Sequence, residues 1–165
     1  MIFELEPIFN TVGASLPVDY EMDFSDVELS GVRPFREPVR IRGEIRNRAG
    51  IVSVAVHAHF ALDLFCDRCA GAMRQEFDLP VEHVLVRELQ DESNDELICL
   101  DSPHFDLDAL VSEDVFLSLP TKFLCSADCK GICPTCGQNL NDGPCSCKKS
   151  VDPRLEGLLQ LLDNS

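Results

Sequence analysis

Residues 39–48 alternate strictly along the chain. Val39, Ile41 and Ile45 fall on one parity, and Arg40, Arg42, Arg46 and Arg48 on the other. A period of two is that of a β-strand with one face buried and one wet. Ala49 and Gly50 supply a two-residue hairpin turn. A second strand follows, with Val52, Val54, Val56, Ala58, Phe60 and Leu62 on its even positions, and it runs on through Leu64 and Phe65. Setting Arg48 opposite Ile51 fixes a register. On the apolar face Ile45 then meets Val54, Ile41 meets Ala58 and Val39 meets Phe60. On the polar face Arg46 meets Ser53, Arg42 meets His57 and Arg40 meets His59. Both faces come out consistent, which a slip of one residue would destroy.

The remaining pattern is weaker. Ile2–Leu5 and the alternating Val18–Phe24 read as two short strands. Phe77–Val86 reads as another, with Pro80 marking an edge or a bulge. Residues 88–96 carry five acids and almost no apolar content, and read as an exposed loop. A helix is expected near 106–119, with Asp106 as N-cap, Leu107, Leu110, Val111 and Val115 at helical spacing, and Pro120 ending it. Asp152 followed by Pro153 opens a short C-terminal helix with Leu155, Leu158, Leu159 and Leu162 on one side. The fold class expected is α+β: an antiparallel sheet or partly open, barrel-like sheet with one or two short helices. Residues 1–120 form the β-rich domain, and residues 121–165 a cysteine-rich segment packed on it.

Composition narrows the function. The chain of 165 residues has a net charge of −15, which repels nucleic acid at long range. No apolar run is long enough to span a bilayer. The N-terminus has acids where a signal peptide has bases, which points to the cytoplasm. Thiols stay reduced there, so clustered cysteines read as metal ligands before disulfides.

Eight of the nine cysteines are clustered. Cys66 and Cys69 are spaced C-x-x-C. From Cys125 the spacing is C-x3-C-x3-C-x2-C-x8-C-x-C, ending at Cys147. Two thiolates three positions apart grip one metal if the backbone between them turns tightly, and Pro134 and Gly137 supply that turn. Zn²⁺ takes four such ligands in a tetrahedron. Two structural zinc sites are expected: Cys66, Cys69, Cys125 and Cys129, then Cys133, Cys136, Cys145 and Cys147. The rival pairing joins Cys66 and Cys69 to Cys133 and Cys136, as in a zinc ribbon. Cys99 is left over, flanked by Ile98 and Leu100, and reads as a small buried apolar residue.

No catalytic motif accompanies these thiols. No His-Glu-x-x-His is present, no deaminase pattern and no Gly-rich phosphate loop, so neither an enzyme nor a small-molecule substrate is expected. The Arg40, Arg42, Arg46, Arg48, His57 and His59 face is a candidate for RNA phosphate contact, because guanidinium forks suit phosphate. Its plainer reading is a solvated strand face, part-neutralised by Glu44 and the acidic loop. A zinc-thiol redox sensor or holdase, and a transcription-associated zinc-ribbon protein, are the rival classes.

One resemblance draws these features together. C-x-R-C at Cys66–Cys69, D-L-x-x-L-V-x-E-D at Asp106–Asp114 and L-S-L-P at Leu117–Pro120 come first. C-x3-C-K-G-I-C-P-x-C-G-x-N-L-N at Cys125–Asn141, C-x-C at Cys145–Cys147 and D-P-R-L at Asp152–Leu155 follow. In this order they resemble the YceD family of large-ribosomal-RNA-subunit accumulation proteins, in a cysteine-rich bacterial form. The resemblance implies a cytoplasmic, non-enzymatic ribosome-biogenesis factor needed for accumulation of 23S rRNA. Some family members lack the cysteines, which fits zinc as a staple in one branch. The partners so implied are 23S rRNA or a pre-50S particle, reached directly or through a basic ribosomal protein.

Overall fold

The hairpin is the centre of the structure, a computed structural model that describes residues 1–88 and 97–147. Strand β3 (Val39–Arg48) pairs antiparallel with β4 (Ile51–Phe65), with Arg48 opposite Ile51, Ile45 opposite Val54, Ile41 opposite Ala58, Arg42 opposite His57 and Arg40 opposite His59. The turn works because Ala49 and Gly50 both take positive φ, 55° and 88°, which matches the twist of the flanking strands.

Around this pair the chain builds an open sheet in the order β2-β3-β4-β5-β6. The outer members are β2 (Ser15–Met22), β5 (Ala72–Val86) and β6 (Leu97–Cys99). All pairings are antiparallel except β5 with β6. A separate two-stranded ribbon joins β1 (Ile2–Glu4) to β7 (His104–Asp106). Helix α1 is Glu6–Asn10 and α2 is Leu107–Ser118. The expected α+β class is what the chain forms, with the sheet left open.

The core lies on one face of the sheet. Ile41, Ile45, Val54, Val56, Ala58 and Leu62 are buried there, with Leu107, Val111 and Val115 of α2. Phe24 meets Phe35 edge-on at 5.0 Å and stacks on Phe116 at 5.9 Å, and Phe60 stacks on Phe77 at 4.9 Å. Aromatic pairs of this kind add about 0.5–1.5 kcal/mol each beyond their buried area. Helix α2 starts as expected, with Asp106 Oδ1 accepting from the backbone N–H groups of Asp108 (3.1 Å) and Ala109 (3.5 Å).

Some expectations shift. Helix α1 falls inside the stretch read as strands and loops. It is too short to show a period, and Asn47, only 2% exposed, holds its end: Nδ2 donates to Ile8 O (2.8 Å) and Phe9 O (3.2 Å). Strand β5 begins at Ala72, five residues before the expected start. Pro80 lies opposite His57 of β4, while β6 runs beside only Val84–Val86, so its missing N–H falls on an unpaired edge. Cys99 is half-buried, its thiol donating to Arg87 O at 3.7 Å. The acidic loop beyond Glu88 and the C-terminal helix lie outside the described residues.

The chain divides into two units. One is Met1–Phe65 with Ala72–Phe123. The other is Cys66–Gly71 with the chain from Leu124 onward. The sheet and its core belong to the first, and all eight clustered cysteines to the second.

Candidate functional site

The described residues of the second unit build almost no apolar interior. Among its described residues the buried side chains are Cys66, Cys69, Cys129 and Cys133, so sulfur takes the place that leucine and valine take in the sheet. The loop between β4 and β5 carries the first knuckle. The Cys66 N–H bonds Gly71 O (2.9 Å) and the Ala70 N–H bonds Cys66 O (2.8 Å), which closes the turn. The second knuckle repeats the device: Gly137, at φ 75°, donates its N–H to Cys133 O (2.8 Å), and Cys133 N–H bonds Gln138 O (2.8 Å). Gly137 takes the left-handed conformation that follows a tight turn, as its place after the C-x-x-C requires.

The thiols gather in two sets: Cys66, Cys69, Cys125 and Cys129, and Cys133, Cys136, Cys145 and Cys147. Within each set all four sulfurs lie within 4.8 Å of one another. This is the grouping that closes the second set locally, not the ribbon-like exchange. In the first set Cys66 Sγ is 3.7 Å from Cys129 Sγ, and Cys69 Sγ is 3.6 Å from Cys125 Sγ. A tetrahedron with metal–sulfur bonds of about 2.3 Å has sulfur–sulfur edges of about 3.8 Å. The first set therefore has the size of a four-thiolate metal site.

The local electrostatics fit a cation. Backbone N–H groups hold down one thiol in each set. Cys66 is drawn to about 6, chiefly by the Cys125 N–H, and Cys133 to about 6 by the N–H groups of Cys136 and Thr135. Others resist ionisation. Cys125 is pushed up to about 12 by its neighbour Cys129, and Cys147 to about 12 by Cys136. Each set thus mixes thiols that ionise readily with thiols that resist it: Cys66 and Cys129 against Cys69 and Cys125 in the first, Cys133 against Cys145 and Cys147 in the second. A divalent ion removes that conflict, because coordination deprotonates a thiol outright.

Two polar residues brace the first set. Arg68, between the knuckle cysteines, donates from Nη1 to Cys129 O (3.1 Å) and Ala127 O (3.4 Å). Asn141 donates from Nδ2 to Cys129 Sγ (3.3 Å), and that bond is the main cause holding the Cys129 thiol below its ordinary range. Reading the sequence for thiols alone misses Asn141; the Asn-Leu-Asn that follows the second knuckle was its signal.

The arginine ladder lies on the exposed face of the sheet, but it is not alone there. The register adds Asp19 and Glu21 from β2, Glu44 from β3, Asp63 from β4, and Arg74, Glu76, Asp78 and Glu82 from β5. Arg40 and Arg42 both reach Asp19 (3.6 and 3.4 Å), Arg46 reaches Glu44 (3.1 Å), and His57 and His59 both reach Asp78 (3.0 and 3.3 Å). The face is a lattice of both signs in which acids outnumber arginines.

What the fold and thiols define is an open-sheet module joined to a cysteine-rich unit able to hold two metal ions. Residues 54–162 match the family described as the large ribosomal RNA subunit accumulation protein YceD, and the chain belongs to that family. It is similar to the large ribosomal RNA subunit accumulation protein YCED homolog 1, chloroplastic, of Zea mays. That match is 27% identical over 154 residues, covering 74% of this chain and 52% of the maize protein. An uncharacterised protein of Mycobacterium tuberculosis (strain ATCC 25618 / H37Rv) is 37% identical over 57 residues, or 34% of this chain and 28% of that protein. The chain thus spans about half, or less, of the length of these relatives. No solved structure matches it significantly. Among the described residues no helix is long and apolar enough to cross a membrane.

Proposed function

We propose that this protein is a non-enzymatic, cytoplasmic factor that supports accumulation of 23S rRNA and the large ribosomal subunit. The observation that carries the reading is membership of a family described by that role, with the match running over most of the chain. The metal is zinc, two ions per chain, and its role is structural. Eight thiolates in two sets of four suit a tetrahedral, borderline-soft ion, and a site filled by four protein sulfurs keeps no position open for a substrate.

The partner is 23S rRNA or a pre-50S particle. A net charge of −15 argues against broad electrostatic binding to RNA, since each phosphate contact needs a cation. Contact then falls to the Arg40, Arg42, Arg46, Arg48, His57 and His59 face, with the acidic remainder turned to a basic ribosomal protein. The ion pairs already on that face are exposed, and such pairs contribute only about 0–1 kcal/mol, so phosphate can displace carboxylate.

The test is depletion of the protein in its own host, with 23S and 16S rRNA quantified and subunits separated on gradients. Depletion is expected to lower 23S relative to 16S and to thin the 50S peak. An unchanged ratio in fully depleted cells overturns the reading.

A further inference from the structure

One side chain, Asn141, reaches the first thiol set from the base of the hairpin that carries half of the second. Residues 131–140 form a minimal hairpin: Ile132 and Asn139 bridge antiparallel, Leu140 N–H bonds Gly131 O (2.8 Å), and Cys133 and Cys136 sit at the tip. Asn141 follows at its base. Its Oδ1 accepts the Lys130 N–H (2.8 Å), which fixes the amide's orientation and turns Nδ2 the other way. The two Nδ2 hydrogens then go to Asn139 Oδ1 (2.8 Å) and to Cys129 Sγ (3.3 Å). Asn139 Oδ1 also takes the Asn141 N–H (3.0 Å), so the amide is clamped from both sides. The hairpin's other strand touches the first knuckle, Ile132 N–H bonding Arg68 O at 3.1 Å.

We propose that Asn141 couples the two metal centres, so that filling the second raises the affinity of the first; this rests on the zinc reading above. An ion at Cys133, Cys136, Cys145 and Cys147 closes the 131–140 hairpin at its tip and, at Cys145, four residues beyond Asn141. Closure places Asn141, and Asn141 places an N–H on the Cys129 sulfur, where a thiolate ligand is stabilised. Partners that orient a ligand in this way are typically worth about 10- to 100-fold in metal affinity. Binding linkage is reciprocal, so an ion in the first set raises affinity at the second by the same factor. Asn141 is a positioning residue here and touches no metal.

The experiment is a mutant cycle read as zinc affinity by chelator competition, with native mass spectrometry counting ions on the full chain. The variants are Asn141→Ala, Cys145→Ser/Cys147→Ser, and their combination. The double serine variant is expected to weaken the first site at least tenfold, and Asn141→Ala to weaken it similarly. The combination should be no worse than either alone. A second readout needs no cysteine change. At one equivalent of zinc, Asn141→Ala should hold a larger share of one-ion chains than the unaltered protein. Losses that multiply in the combination, or an unchanged one-ion share, overturn the coupling while leaving two zinc sites in place. An unaltered chain that takes up no zinc overturns the coupling and the zinc reading together.

Discussion

Tyr20 Oη donates to Asp108 Oδ1 at 2.7 Å, tying edge strand β2 to the first turn of α2. Burial and then the Asp108 hydrogen bond push the phenol well above its ordinary range. A raised folded-state value means the neutral phenol is the form the fold holds. Its contribution is intact below the unfolded value of about 10 and is lost as pH rises above it. Tyr20 is the sole tyrosine and the chain has no tryptophan, so tyrosinate absorbance reports this group alone. In an alkaline titration that signal should lag well behind the same titration in denaturant. Tyr20→Phe should cost about 1.5–3 kcal/mol at neutral pH, the range for a hydrogen bond to a charged group. Its deficit should shrink above about pH 10, where only the unaltered protein loses stability by ionising. A folded protein whose tyrosinate appears at the denatured pH would contradict this account.

The β3–β4 hairpin was legible because three independent signals agree on it: parity, turn residues and matched faces. Helix α2 was legible from Asp106, whose carboxylate does cap it. Helix α1 was not, because its support comes from Asn47, nearly forty positions away, and no local pattern carries that. The first residues of β5 were missed for a related reason. Met73 and Gln75 are only half-buried, so the alternation there is faint. The thiol sets were visible as spacing, but their grouping and Asn141 needed the fold. The acids beside the arginine ladder needed the registers of β2 and β5, which the sequence alone left open.

Asn47 gives a second prediction. It is the one buried polar side chain among the described residues, and it is fully used: Nδ2 serves Ile8 O and Phe9 O, while Oδ1 accepts the Gly50 N–H at 3.0 Å. One residue thus closes α1 and braces the hairpin turn. Asn47→Ala strands those groups, and each buried unsatisfied group costs about 1–3 kcal/mol. Thermal unfolding should shift down by several degrees, about 4–8 °C per kcal/mol for a domain of up to 100 residues and less for a larger one. Hydrogen exchange should show lost protection first at Gly50 and at the end of α1. An unchanged melting curve would show these bonds to be replaceable by water.

Metal removal should act on one unit and spare the other. The sheet unit owns an apolar core running from Leu5 to Val115, whereas among the described residues of the cysteine unit the buried side chains are thiols. Metal-dependent folding free energies in small zinc modules are about 10–16 kcal/mol, far beyond what the described bonds of residues 124–147 can replace. Chelation should therefore abolish amide protection over residues 66–71 and 124–147 while β3 and β4 keep theirs. Uniform loss across both units would mean the sheet depends on the metal, and no loss anywhere would remove the staple.

The last prediction turns on Asp19, which lies 3.6 Å from Arg40 and 3.4 Å from Arg42. If the arginine ladder contacts RNA phosphates, Asp19 competes for the same guanidinium groups. Removing it must then act in the opposite direction to removing the arginines. Asp19→Asn should tighten binding to 23S rRNA fragments at fixed salt. Arg40→Glu/Arg42→Glu/Arg46→Glu/Arg48→Glu should weaken binding and flatten its salt dependence, by about 0.7–0.9 in log–log slope for each phosphate no longer neutralised. His57 and His59 share Asp78, so Asp78→Asn should behave like Asp19→Asn. A mere change of net charge would move all of these in the same sense on any polyanion, so heparin serves as the control. Equal responses on rRNA and heparin would assign the effect to charge alone, and an unaltered affinity in the quadruple variant would remove this face from RNA contact and leave the ribosomal-protein route.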